Sequence, residues 1–225
     1  LTWIRFSTAG ITDDTYNKIQ RGKQGDLDKV LFNMENAVKV KHDQKLNTTL
    51  GVQLLLLPDN KDEIVQMGKE LRKIGVDYFT IKPFSQHPQS QHILQVDYNE
   101  MIELENEIKF LQTDNFKVYF RTHSMHKLNC SRSYHHCWAL PFMVYMDAKG
   151  NLWPCIVFMG KEELKYGNIY EESFVKIWES EHRQKIVDYF MNMDLKKNCR
   201  ELCRLDEMNR YLNELKHPGE HVNFI

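Results

Sequence analysis

Apolar positions in the first half of the chain fall in short runs separated by amphipathic stretches. Leu1–Phe6 is strand-like and leads into Ser7-Thr8-Ala9-Gly10. Thr12-Asp13-Asp14 then offers side-chain oxygens to the free backbone N–H groups of a helix start. Leu27, Val30, Leu31, Met34, Ala37 and Val38 recur at three- and four-residue spacing, which predicts a helix over Asp26–Val40. Thr48–Leu57 is too uniformly apolar for a half-exposed strand and suits a parallel strand covered on both faces. Pro58-Asp59-Asn60 ends it. Ile64, Met67, Leu71 and Ile74 mark the next helix, capped by Gly75, and Val76–Ile81 is another strand. A helix over Tyr98–Leu111 and a strand over Phe116–Phe120 complete the pattern.

Strands alternating with helices in this way predict an α/β fold built on a parallel sheet or barrel. Four strands with three helices make an incomplete barrel, so further βα units are expected ahead of Leu1. The pattern changes near Asn129. Pro141–Phe158 reads as a hairpin turning at Asp147-Ala148-Lys149-Gly150-Asn151. Glu172–Met191 and Leu205–Leu215 read as helices. The expected domains are therefore 1–125 and 126–225, with the boundary between about 121 and 136.

Composition narrows the class of protein. The 225 residues are 42% hydrophobic and 27% charged, with a formal net charge of −1. That balance offers no electrostatic basis for binding nucleic acid or a membrane surface. No apolar run approaches the roughly 20 residues of a membrane span, and no stretch reads as a signal peptide. A cytoplasmic protein is expected. The cysteines number five, an odd count for a secreted disulfide framework. In a reducing compartment, clustered thiols are better read as metal ligands.

Four of these cysteines form two clustered pairs, Cys137 with Cys155 and Cys199 with Cys203. The hairpin brings the first pair together and a helical turn the second. Thiolates in such a set bind zinc or an iron–sulfur cluster. The alternative is that they are buried thiols packing as small hydrophobes. Cys130 stands apart and reads as structural. His135 and His136 lie beside Cys137, with His123 and His126 upstream, so a mixed Cys/His zinc site is a second alternative. Lys82 ends an apolar strand, where a charge either serves a site or snorkels to water, and is the candidate catalytic residue. The polar segment Ser85–His92 follows it, as a substrate-facing or merely solvated loop.

The spacing Cys137-x12-Gly150-x4-Cys155, with Cys199-x3-Cys203 downstream, resembles the C-terminal auxiliary-cluster domain of radical SAM enzymes, of the SPASM and shorter twitch types. Tyr166-Gly167-Asn168-Ile169, Ser173 and Ile177-Trp178 are similar to a stretch typical of that domain. Four cysteines favour the single-cluster form. The resemblance implies an auxiliary [4Fe–4S] cluster on Cys137, Cys155, Cys199 and Cys203.

Trp3-Ile4-Arg5-Phe6-Ser7 resembles the fourth barrel strand of the same family, and Gly75–Phe84 its sixth. The likeness implies that Ser7 contacts S-adenosylmethionine and that Arg21 pairs with its carboxylate, a role suited to a planar fork of donors. The implied fold is the back part of a radical SAM partial barrel followed by a small α+β domain. The family's Cys-x3-Cys-x2-Cys, which holds the cluster that cleaves S-adenosylmethionine, does not occur in these residues. This chain alone is therefore expected to be inactive. For the intact protein the resemblance implies an oxidoreductase that abstracts hydrogen from a small hydroxylated (sugar- or cyclitol-like) or peptide substrate. Its reductant would be a flavodoxin or ferredoxin, and the auxiliary cluster would serve as electron acceptor or substrate anchor. The competing reading is a non-enzymatic four-cysteine module, zinc or iron–sulfur, that recognises a peptide or protein partner.

Overall fold

The computed structural model describes residues 1–220. The chain divides into two compact units. The first comprises Leu1–Phe84 and Leu94–Asn129, the second Ser85–Ile93 and the chain from Cys130 on.

The first unit is a four-stranded parallel sheet in the order β1 (Trp3–Thr8), β2 (Thr49–Leu56), β3 (Tyr78–Pro83), β4 (Lys117–Phe120). The crossovers carry α1 (Asp13–Gln20), α2 (Asp26–Asp43), α3 (Ile64–Ile74) and α4 (Leu104–Lys109), and α5 (Thr122–Leu128) follows β4. The sheet is open, and no closed barrel forms among the described residues. Register runs through Phe6, Val52, Phe79 and Val118. These side chains, with Leu50, Leu54, Leu56, Ile81 and Phe120, form a core with Met34, Ile64, Met67, Leu71, Ile108 and Met125. Burial of this set against amphipathic helices is what the three- and four-residue spacing anticipated.

The other face of the sheet is polar. Ser7, Gln53, Thr80 and Tyr119 share one register row across all four strands, and Arg5, Gly51, Tyr78 and Lys117 share the adjacent one. The expectation that Thr48–Leu57 is covered on both faces therefore fails at its end, where Leu55 is 42% exposed. Gly51 is required here because a Cβ at this position would lie 1.9 Å from Cζ of Tyr78, whose ring covers it. Gly51→Ala is expected to cost about 1–3 kcal/mol through overpacking, and markedly less in a Tyr78→Ala background. Equal penalties in the two backgrounds, measured by denaturant unfolding, would show that the ring is not the obstacle.

The predicted helix over Tyr98–Leu111 is shorter than expected. A 3-10 turn at Asn99–Met101 precedes α4. Tyr98 is the pivot: its buried hydroxyl donates to the Leu56 carbonyl at 2.9 Å and accepts from the Phe84 N–H at 2.6 Å. Burial raises its pKa to about 12.

The second unit contains a small antiparallel sheet of β5 (Tyr145–Met146), β6 (Asn151–Trp153) and β7 (Gly167–Asn168). The hairpin is thus narrower than Pro141–Phe158, whose ends form 3-10 turns at Leu140–Phe142 and Ile156–Phe158. The predicted Glu172–Met191 helix is two helices, α6 (Phe174–Trp178) and α7 (Glu181–Met191). Ser173 and Ser180 each cap one of them, accepting from the N–H of Lys176 and Arg183. The short α8 (Leu195–Asn198) and α9 (Asp206–Lys216) close the described chain.

Candidate metal centre

The turn between β5 and β6 is built on one carboxylate. Asp147 accepts hydrogen bonds from the N–H groups of Lys149 and Asn151, from Asn151 Nδ2 and from Trp153 Nε1, at 2.8–3.0 Å. The Asn151 side chain foremost, then the Trp153 indole and the two amides, holds its pKa down to about 2. Gly150 completes the turn at φ +78°, and a Cβ there would meet the Tyr170 ring at 2.7 Å. Both the conformation and the space call for glycine. This rigid turn fixes β6, and β6 fixes Cys155 immediately beyond Trp153-Pro154.

The four cysteines of the two pairs gather in one apolar cluster. Cys137 is buried, and Cys155, Cys199 and Cys203 are half-buried against the same group, which includes Tyr134, Leu152, Phe158, Phe190 and Leu205. Cys137 lies in irregular chain ahead of β5, with its carbonyl accepting from Leu140 N–H at 3.2 Å. The Cys155 carbonyl starts the following 3-10 turn through Phe158 N–H at 3.1 Å. The second pair corrects the sequence expectation. Cys199 caps α8 in extended conformation and Cys203 lies in the loop before α9, so no helical turn joins them. Instead, the backbone folds onto sulfur, with Leu205 N–H donating to Cys203 Sγ at 3.3 Å. Arg132 braces the same loop by donating to the carbonyls of Leu195 and Arg200, on either side of Cys199.

Burial pushes the Cys137 thiol up to about 12 and the Cys155 thiol to about 11, and raises Cys199 as well. Neighbouring thiols add to the rise in each case. Among the described residues no three His, Cys, Asp or Glu side chains converge closely enough to hold an ion as they stand. The set still suits a soft metal or an iron–sulfur cluster in donor chemistry: four sulfurs in an apolar shell, with no carboxylate among them. Ligation would release protons, because thiolate is the binding form.

The other candidates are placed elsewhere. Cys130 is exposed and outside the cluster. His136 bonds through Nδ1 to the Met191 carbonyl and stacks edge-on against Trp138 at 5.0 Å. His135 is exposed, and His123 and His126 belong to α5 of the first unit. Ser7 sits on the open polar face of β1, in the row of Gln53, Thr80 and Tyr119. Gln53 Oε1 in that row is buried without a hydrogen-bond partner. Arg21 follows α1 in the left-handed conformation, φ +53°, and is exposed. Lys82 is half-buried on β3, next to Leu55 in the register of the polar face.

Sequence reasoning missed the polar side chains around the sulfurs. On α9, Asp206, Asn209 and Asn213 all engage the segment that carries Cys137. Their spacing of three and four residues is the available signal, but in a sequence it is indistinguishable from a solvated helix face.

Residues 137–205 match the SPASM family, an iron–sulfur cluster-binding domain. No curated protein matches the sequence. Among solved structures the chain is similar to Streptococcus suis SuiB, with a TM-score of 0.56 and 12% identity over 83% of this chain and 45% of SuiB. SuiB bound to S-adenosylmethionine gives 0.55 and 13% over 83% and 44%. SuiB bound to the precursor peptide SuiA gives 0.56 and 13% over 96% and 51%. These likenesses establish the fold, and the chain spans about half the length of the SuiB structures.

Proposed function

We propose that the chain is the back part of a radical SAM enzyme, whose second unit holds one auxiliary [4Fe–4S] cluster on Cys137, Cys155, Cys199 and Cys203. The observation that carries this reading is the gathering of these four sulfurs in a single apolar cluster, within a SPASM match over residues 137–205. S-adenosylmethionine, when bound, supplies the hydrogen-abstracting chemistry on which the intact enzyme would depend. The chain's own part is to orient and to shield. The row Ser7, Gln53, Thr80 and Tyr119 offers hydroxyl and amide groups along one face of a rigid parallel sheet, and the buried, unpartnered Gln53 Oε1 accepts a donor from a ligand lying there. Arg21 would meet the carboxylate of S-adenosylmethionine, and Lys82, further along the same face, would face the substrate.

For the substrate we favour a peptide over a small cyclitol. The support is the likeness, over 96% of this chain, to SuiB in its structure bound to the precursor peptide SuiA. The auxiliary cluster would take up an electron from the substrate or anchor it, and a flavodoxin or ferredoxin would act as reductant. A test begins with the metal. Protein purified and reconstituted anaerobically is expected to be brown, with iron and sulfide in equal amounts and broad absorbance in the visible blue. A colourless protein with one tightly held zinc and no iron would replace this reading with a four-cysteine zinc module.

A further inference from the structure

Helix α9 begins one residue beyond the SPASM match, and one face of it is directed at the segment around Cys137. Asp206 accepts from the Tyr134 hydroxyl at 2.9 Å, and both residues are buried. Asn213 accepts from Trp138 Nε1 at 3.1 Å and donates to the Ser133 carbonyl at 3.1 Å. Between them lies Asn209, which is only 2% exposed. Its Oδ1 accepts from the buried Ala139 N–H at 2.9 Å, and its Nδ2 lies 3.8 Å from Cys137 Sγ. The amide cannot be turned round without facing two donors at each other, because Ala139 N–H can only donate. The backbone therefore fixes which end of the carboxamide meets the sulfur.

We infer that Asn209 is a positioning residue for the auxiliary cluster, holding the Cys137 segment in place and donating an N–H to its ligating sulfur, and so raising the cluster's reduction potential. The inference rests on the proposed cluster. Its physical basis is the charge added on reduction. That charge spreads onto the sulfurs, so a donor aimed at sulfur in an apolar shell stabilises the reduced form more than the oxidised one. Removing the donor makes the cluster harder to reduce. Partners that orient a ligand are half of a metal site's design. Here they stand on α9, after the last ligand in the chain.

Two variants separate the donor from the clamp. Asn209→Ala removes both. Asn209→Asp retains an acceptor for Ala139 N–H while replacing the donor to sulfur by a carboxylate oxygen. The wild-type protein and both variants are loaded anaerobically with iron and sulfide, and the midpoint potential is read by an EPR-monitored redox titration, with iron content and melting measured alongside. The potential is expected to fall in the order wild type, Asn209→Ala, Asn209→Asp, while melting falls in both variants, through lost hydrogen bonds in the first and a desolvated charge in the second. A residue with a purely structural role would lower melting without ordering the potentials. If Asn209→Asp folds but loses its iron, the potential of Asn209→Ala decides, and a wild-type value there overturns the inference. Full iron content with the wild-type potential in Asn209→Asp overturns it, even if Asn209→Ala fails to fold. A wild-type protein that takes up no iron overturns the cluster itself, which distinguishes the two failures.

Discussion

Replacing Cys199 and Cys203 together by serine is expected to give a colourless, iron-free protein that melts far below the wild type. Both thiols are half-buried in the same apolar cluster as Cys137 and Cys155, and the segment linking them has no helical hydrogen bonding of its own. What orders that segment without metal is a handful of hydrogen bonds: Arg132 on two carbonyls, Ser85 Oγ accepting from Arg200 Nε and the Leu202 N–H, and a backbone N–H on Cys203 Sγ. A ligated metal or cluster would tie it to the sulfurs of Cys137 and Cys155, which lie far back along the chain. Metal binding to a set that exists only in the folded state is folding energy, on the order of 10 kcal/mol for structural zinc at neutral pH. The double variant should therefore lose a large part of the holo-protein's stability, and chelation of the wild type should lead to the same melting point. Cys130→Ser is the internal control, since that thiol is exposed and outside the cluster, and should change neither iron content nor melting. If the double variant keeps the wild-type iron content and melting curve, Cys199 and Cys203 ligate no metal and pack merely as small hydrophobes.

The parts of the fold legible in the sequence are those decided by period and burial. Leu50, Val52, Leu54 and Leu56 read as a parallel strand because the sheet's helix-covered face needs them, and Met34, Met67 and Leu71 follow the helical period that covers it. What the pattern concealed was decided by single polar groups. Ser180 splits Glu172–Met191 because its side chain accepts from the Arg183 N–H, a local competition that apolar periodicity does not register. Strand β7 is two residues long, held by pairing with β6 and by Asn168 Nδ2 on Asn151 Oδ1 at 2.8 Å. The four cysteines were legible as a set because ligand chemistry restricts their spacing. Their surroundings were not, because Asn209 reaches Cys137 across 72 positions of chain. The open face of the sheet was also hidden. Leu55 continues an apolar run in sequence, yet it lies on the same side as Gln53 and Lys82.

Asn60→Asp is expected to be among the most damaging single-atom changes in the first unit, and its cost should depend on pH. Asn60 is fully buried. Its Oδ1 accepts from the Leu57 N–H at 2.8 Å, and its Nδ2 donates to the carbonyls of Ala9 and Leu55 at 2.8 and 2.9 Å. One carboxamide thus ties the loop after β1, just beyond Ser7, to the turn after β2. Glu63 adds to this tie by accepting from the N–H of Ile11 at 2.9 Å and from Thr12 Oγ1 at 2.6 Å. An aspartate keeps the acceptor for Leu57 but sets a desolvated negative charge against two carbonyl oxygens, at a cost of about 3–5 kcal/mol at neutral pH. Burial and the carbonyls both disfavour the ionised form, so the introduced carboxyl has a folded pKa raised above its unfolded value near about 3.9. A raised folded pKa means that the deficit is smallest below the unfolded pKa and grows as pH rises towards the folded one, by up to about 1.4 kcal/mol per pH unit. Denaturant unfolding of wild type and variant between acid and neutral pH should therefore show the two curves converging as pH falls. In the neutral form the carboxyl regains one donor for two carbonyls, so convergence should be incomplete. A pH-independent deficit would mean that the charge is solvated, and that Asn60 does not seal the junction between the segments after β1 and β2. Asn60→Ala separates these cases further. It introduces no charge, should lose stability by a similar amount at every pH, and should loosen the Ala9–Thr12 loop, read as faster amide exchange at Ile11 and Thr12.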